Sequence, residues 1–175
     1  MGNLIIREAK LDDAYWIAYV NVHTSYSAYR WLMPEEHLIN RINTSKEFSE
    51  KMRKIIENWT KHLVIEDLEK NKIIWILGYW PSRNENYPHS WEIIALYVLP
   101  EYQKLGIGKK LFLAWIDRLI NLWYNSMIIN VLEWNNAINF YKKYGGTVVW
   151  ERYDQFGKVI LREFILYFED IKSIK

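Results

Sequence analysis

The order of strand-like and helix-like runs predicts an α/β (α+β) fold, and three observations carry that prediction. Short β-branched and aromatic runs alternate with segments whose apolar residues recur every three to four places, as strands and amphipathic helices require. Half of the 175 residues are apolar and 17% are aromatic, with ten Trp, which suffices for the core of one domain spanning residues 1–175. No internal repeat, linker or low-complexity stretch interrupts the pattern.

Residues 4–8 read as a first strand. Asp12 and Asp13 place acidic groups where a helix starts, and Ala14, Ile17, Ala18 and Val22 give that helix its apolar stripe. Residues 23–33 read as a link rich in aromatics, among them Tyr26, Tyr29 and Trp31. Pro34 suits the first position of a second helix, with Glu35 and Glu36 in its first turn and Leu38, Ile39 and Ile42 as its apolar face. Thr44 and Glu47 have capping-box spacing ahead of a third helix carrying Phe48, Met52, Ile55, Ile56 and Trp59.

Two strands follow at 62–66 and 73–80, then a polar loop at 82–90 that is long enough to line a site. Residues 92–98 read as an apolar strand that breaks at Pro100, after which residues 103–109 open a helix running through Trp115, Leu119 and Leu122. Residues 127–132 form a fifth strand, and 136–144 a helix stopped by Gly145 and Gly146. Residues 147–153 and 159–167 close the chain as a hairpin that turns over 154–157.

Several function classes fall away. The net charge of +2 and the lack of a dense basic run argue against nucleic-acid binding. There is no Cys to supply a disulfide, a thiolate metal site or a Cys nucleophile. The N-terminus shows no signal-peptide core and no apolar run reaches membrane-spanning length, which points to a cytoplasmic protein without a membrane partner. Met1-Gly2 resembles a myristoylation start, but Ile6 occupies the position where Ser or Thr is needed. His23, His37, His62 and His89 form no i, i+4 pair, so no metal is expected, and no G-x-S-x-G marks a serine hydrolase.

A strand, a glycine-bearing turn and a helix start in that order make a cradle for a phosphorylated ligand. Free amides at the helix start converge on one point, and the helix dipole adds partial positive charge there. Gly106 and Gly108 let the backbone bend and come close to an anion, while Lys104, Lys109 and Lys110 add mobile positive charge. The dinucleotide and P-loop patterns both fail on these residues: Leu111 stands where the first needs its third glycine, and Gln103 and Lys110 break the second.

What remains, Gln103-x-x-Gly106-x-Gly108 after an apolar strand, resembles the acetyl-CoA signature of the GNAT acetyltransferase superfamily. Leu96-Tyr97-Val98 before it is similar to the same family, as is the segment from Ala137 through Phe140, Tyr141 and Lys143 to Gly145. The resemblance covers nearly the whole chain. It implies a mixed central sheet of about seven strands, flanked by helices, in which strands four and five splay and admit the pantetheine arm of acetyl-CoA.

The same resemblance implies roles for particular residues. Leu96, Tyr97 and Val98 would bond the pantetheine arm, and Gln103, Lys104, Leu105, Gly106, Ile107, Gly108 and Lys109 would hold the diphosphate. The amide of Leu96 would polarise the thioester carbonyl. The Tyr141 hydroxyl would protonate the departing sulfur, with a plain core tyrosine as the alternative. Glu92 would take the proton of the amine, with a solvated strand end as the alternative. The asparagine that relatives place before the last helix is displaced here, so Asn135 either touches the cofactor or, like Asn136, caps the helix.

The segment from His23 through Tyr29 to Pro34 is similar to one found in a subset of bacterial and archaeal members that includes polyamine and other small-amine acetyltransferases. That likeness places Tyr26, Tyr29 and Trp31 at the acceptor pocket. The expected activity is therefore direct transfer of acetyl from acetyl-CoA to a small primary amine or polyamine. The alternatives are a protein N-terminal or lysine acetyltransferase and a non-catalytic acyl-CoA sensor. The aromatic surplus and the last strand edge point to a homodimer.

Overall fold

Every strand-like run of the sequence forms a strand. The structure is a computed structural model that describes residues 3–58 and 61–174. Its strands are β1 (Leu4–Glu8), β2 (Lys61–Asp67), β3 (Lys72–Pro81), β4 (Trp91–Val98), β5 (Met127–Leu132), β6 (Thr147–Phe156) and β7 (Val159–Phe168). The α-helices are α1 (Ala14–Tyr29), α2 (Glu35–Asn43), α3 (Ser45–Asn58), α4 (Ile107–Asn121) and α5 (Ala137–Lys143). The sheet is mixed, in the order β1-β2-β3-β4-β5-β7-β6. The chain divides into two compact units, Met1–Tyr79 with Ala95–Leu105, and Trp80–Ile94 with Gly106–Lys175.

In the first unit, β1 and β3 flank β2 in antiparallel pairing, with a bulge at Ile65 and Glu66. Ile73 to Leu77 are all buried, as an apolar run without alternation requires of a strand covered on both faces. Helix α1 continues to Tyr29, so residues 23–29, expected in a link, are helical. The reason is burial on more than one side. Val20, Thr24 and Ser25 are inside along with the predicted stripe Ala14, Ile17, Ala18 and Val22, and the Thr24 hydroxyl donates to the Val98 carbonyl at 3.3 Å. A helix wrapped in this way carries no polar face for a sequence pattern to reveal.

The start of α1 is tied to the strands by Arg7, which donates to Asp13 at 2.6 Å and to Glu66 at 2.7 Å. Pro34 sits at the N-cap of α2, one place before the expected position. The Thr44 hydroxyl donates back to the Asn40 carbonyl at 2.9 Å and closes α2, so it does not serve the capping box expected of it. Trp59 lies outside the described residues.

In the second unit, β4 runs parallel to β5 but pairs with it only from Trp91 opposite Met127 to Ile93 opposite Ile129. β5 carries on to Leu132 with β7 as its antiparallel partner. The β6–β7 hairpin is longer than expected: Asp154, Gln155 and Phe156 pair with Leu161, Ile160 and Val159, so the turn tightens to Gly157 and Lys158. Leu111, Phe112, Trp115, Ile116 and Leu119 of α4 are buried, and the Phe112 ring meets Phe140, Tyr141 and Phe168 at centroid distances of 5.4, 5.8 and 5.9 Å. Among the described residues, no helix is long and apolar enough to cross a membrane.

Candidate functional site

The turn from β4 into α4 is built by its own sequence. Gln103 extends the backbone after the short helical turn Pro100–Tyr102, and its side-chain amide donates to the Val98 carbonyl at 2.9 Å, clamping the loop to the strand it leaves. Lys104 and Gly106 both adopt left-handed backbone, with φ of 61° and 74°. A left-handed residue followed by a right-handed helical one turns consecutive N–H groups toward a common point. The first α-type bond of α4 runs from Lys110 N to Gly106 O at 3.2 Å, so the amides of Ile107, Gly108 and Lys109 have no helical carbonyl to reach.

The Ile107 side chain is buried, so it anchors the loop, whereas Lys104, Leu105 and Lys109 are exposed. A Cβ placed on Gly106 or Gly108 would meet no protein atom within 4 Å. The space above this backbone is therefore free for a ligand, and with the unpaired amides and three neighbouring lysines it suits a diphosphate.

Leu96, Tyr97 and Val98 occupy the end of β4, beyond its last residue paired with β5, and are half-buried. In a sheet, backbone groups past the point of separation need another partner, and an amide-bearing arm supplies one. The first unit also holds the expected acceptor residues. Tyr26 and Tyr29 lie on the last turns of α1, where the Tyr26 hydroxyl donates to Glu35 at 3.2 Å. Trp31, 76% exposed, stacks beneath the Arg30 guanidinium at 4.6 Å.

In the second unit, Tyr141 is buried on α5 against Phe112 and Phe140. The Asn135 side chain accepts from Ala137 N at 2.9 Å and so caps α5, one of the two roles expected of it.

Glu92 is only 2% exposed, which removes the reading of a solvated strand end. Its carboxylate accepts four hydrogen bonds: from Arg83 Nη2 at 2.5 Å, Arg83 Nε at 3.0 Å, Arg83 N at 3.3 Å and Asn130 Nδ2 at 2.8 Å. A buried carboxylate needs such compensation, because an unpaired charge out of water is costly. The register explains who meets whom: Glu92 is opposite Ile128, and Asn130 is opposite Ile165, which in turn faces Trp150. These side chains share one sheet face and, with Arg83 and Arg152, line a cavity of about 350 Å³.

Beside that cavity, Arg152 binds Asp154 at 2.9 Å and Glu163 at 2.6 Å. Burial, reinforced by Asp154 and opposed by Arg152, pushes the Glu163 carboxyl above its ordinary range. Among the described residues no cluster of acidic or His side chains is arranged to hold a metal.

Of the residues lining this cavity, the sequence singles out Glu92 but not Arg83, Asn130, Trp150 or Arg152. One signal was present: Asn130 is the only polar residue inside Met127–Leu132, an otherwise apolar strand. The 82–90 loop supplies Arg83 to the wall of this cavity.

Comparison with known proteins converges on one family. A model of the Acetyltransferase (GNAT) family matches residues 12–146. The chain is 31% identical over 170 residues to the uncharacterized N-acetyltransferase YuaI of Bacillus subtilis (strain 168), covering 97% of this chain and 95% of that protein. It is similar in fold to PaiA N-acetyltransferase from Thermoplasma acidophilum in complex with coenzyme A, with TM-score 0.72 at 19% identity over 95% of this chain and 99% of that one. It is likewise similar to YncA from Salmonella typhimurium with its cofactor acetyl-CoA, with TM-score 0.65 at 20% identity over 95% of this chain and 94% of that one.

Proposed function

Because the chain belongs to the Acetyltransferase (GNAT) family, we propose that it moves acetyl from acetyl-CoA onto a small primary amine or polyamine by direct attack in a ternary complex. N-acetyl transfer that depends on acetyl-CoA is the activity of this family. The observation that carries the reading in this chain is the left-handed Gly106 leading into α4, with bare amides and open space above Gly106 and Gly108.

The cosubstrate brings an activated thioester, and the chain's residues do the rest. The amides of Ile107, Gly108 and Lys109 bind the diphosphate, with Lys104 and Lys109 neutralising its charge, Gln103 and the buried Ile107 side chain holding the loop in shape, and Leu105 exposed beside the ligand. Tyr97 and Val98 bond the pantetheine amides through their backbone, and Asn135 flanks the arm. The Leu96 N–H donates to the thioester carbonyl oxygen as negative charge develops there.

The amine arrives as an ammonium, since alkylamines have pKa values near ~10.4, and must lose a proton before it can attack. Glu92 accepts that proton, directly or through a water, once Arg83 has turned outward into solvent. As the C–N bond forms and the C–S bond breaks, Tyr141 Oη delivers a proton to the thiolate. No acyl-enzyme is needed, in keeping with a chain without Cys.

A panel of small amines, N-terminal peptides and lysine peptides, followed by thiol release, tests the reading. Diamines should release coenzyme A and peptides should not. Saturable acetyl-CoA binding with no thiol release from any amine would make the chain a sensor, and turnover on peptides alone would make it a protein acetyltransferase.

Two further parts concern place and company. The reading puts the enzyme in the cytoplasm, to be checked by cell fractionation. Edge strand β6 and its hairpin partner expose Val148, Tyr153 and Ile160, which supports pairing with a second copy. Light scattering should give a dimer mass, and a monomer at micromolar concentration would count against it.

A further inference from the structure

The cavity over Glu92 is walled in part by the exposed Arg83 side chain, and Asn130, which also lines it, carries a buried acceptor without a donor. Arg83 comes from the polar loop and its side chain is 61% exposed, while the carboxylate it covers is 2% exposed. Its guanidinium therefore does in solvent's reach what a substrate ammonium would do: it presents charged N–H donors to Glu92 at 2.5 and 3.0 Å. Asn130 lines the same cavity. Its Nδ2 is committed to Glu92, and this fixes its amide so that Oδ1 is the acceptor left over. That Oδ1 is shut off from solvent and receives no hydrogen bond. A buried acceptor without a donor is costly, and the missing partner must be an N–H or O–H.

The remaining charges say what kind of donor fits. Arg152 is already shared by Asp154 and Glu163, so it is not left over for a carboxylate on the ligand, and Arg83, 61% exposed, turns toward solvent when it leaves Glu92. Two acids share the one Arg152, and Glu85 stands at the cavity wall as a further negative charge. Trp150, 61% exposed, offers a flat apolar face along the sheet from Asn130.

Given the amine acetyltransferase reading, on which this rests, we propose that the cavity is the acceptor subsite and that it takes an alkyl diamine. One ammonium displaces Arg83 from Glu92 and fills Asn130 Oδ1, the methylene chain lies on Trp150, and the second ammonium is drawn by Asp154 and Glu163. Arg83 is then an internal competitor that keeps Glu92 paired until the acceptor arrives.

Calorimetric titration of the full chain with 1,4-diaminobutane and with 4-aminobutanoate, two probes sharing a four-carbon chain, tests this without any need for turnover. The diamine should bind at least about tenfold more tightly than the amino acid. Arg83→Ala should bind the diamine about tenfold more tightly than the parent, and Asn130→Ala about tenfold more weakly. Since Arg83→Ala leaves a buried carboxylate unpaired and threatens folding, Arg83→Gln, which keeps a donor without the charge, should show the same gain in smaller measure. Acetyl-CoA affinity should stay at the parental value in all three variants.

Equal diamine affinity across parent and variants, a preference for 4-aminobutanoate, or no diamine binding at all would each overturn the assignment. Diamine binding with the expected pattern but no thiol release would preserve the subsite and remove the transferase chemistry instead.

Discussion

Tyr141 Oη is the atom on which the chemical step is proposed to turn, and its ring is held independently of that atom. The ring is 4% exposed and lies between Phe112 and Phe140, with centroids 5.8 and 5.4 Å away. Tyr141→Phe keeps this packing and removes only the hydroxyl, so melting temperature and acetyl-CoA affinity should hold. The turnover number should fall roughly 100-fold, the low end of what a positioned proton donor contributes. An unchanged steady-state rate would take Tyr141 out of the mechanism. Its position on a helix was legible because the segment around it has helical spacing and stops at Gly145 and Gly146. The surroundings of Glu92 were not: Arg83 stands nine residues before it on the loop after β3 and Asn130 thirty-eight after it on β5, and only the path of that loop and the pairing of β4 with β5 bring them onto one carboxylate.

At the scale of elements, the start of α4 is where backbone shape and ligand affinity can be separated. Gly106 has φ of 74°, so Gly106→Ala forces a side chain into the left-handed region at a cost of about 1–2 kcal/mol. Gly108 is already helical and a Cβ there meets nothing, so Gly108→Ala should leave stability unchanged or raise it by about 0.5–1 kcal/mol. Both variants should nonetheless weaken acetyl-CoA, because the added methyl stands where the diphosphate must come close. Urea melts and calorimetry read the two effects apart. Gly108→Ala with parental cosubstrate affinity would move the diphosphate away from these amides. This loop was legible in the sequence, since glycine spacing is itself a record of backbone shape. Helix α1 was legible only in its first half, because beyond Val22 its burial comes from several sides and leaves no periodic stripe.

At the scale of the whole molecule, the order of elements along the chain and their number could be read from alternation and punctuation, but the response of the fold to pH could not, since it depends on what each side chain is buried beside. Two groups in the first unit contribute to that response. His62 on β2 is buried with Nδ1 unpartnered, and burial disfavours its imidazolium, pulling the pKa from 6.5 to about 4. The unfolded chain thus binds a proton more readily than the folded one. Stability is full above about pH 6.5 and is lost as pH falls toward about 4, by roughly 3 kcal/mol in all. Asp13 behaves in the same direction at lower pH. Burial alone would raise its pKa, but the bonds from Arg7 and the Lys10 amide outweigh it and hold the carboxyl below its usual 3.8. Its contribution is present above about pH 3.8 and disappears only below it. Acid should therefore destabilise the protein in two stages. His62→Phe, which replaces an imidazole whose Nδ1 is unpartnered by an apolar ring, should flatten the melting temperature between pH 6.5 and 4 while leaving the steeper fall below it, and Asp13→Asn should do the reverse. Melting curves followed by circular dichroism from pH 7.5 to 3 read both, and a His62→Phe profile parallel to that of the parent would show that the imidazole stays neutral for no energetic reason.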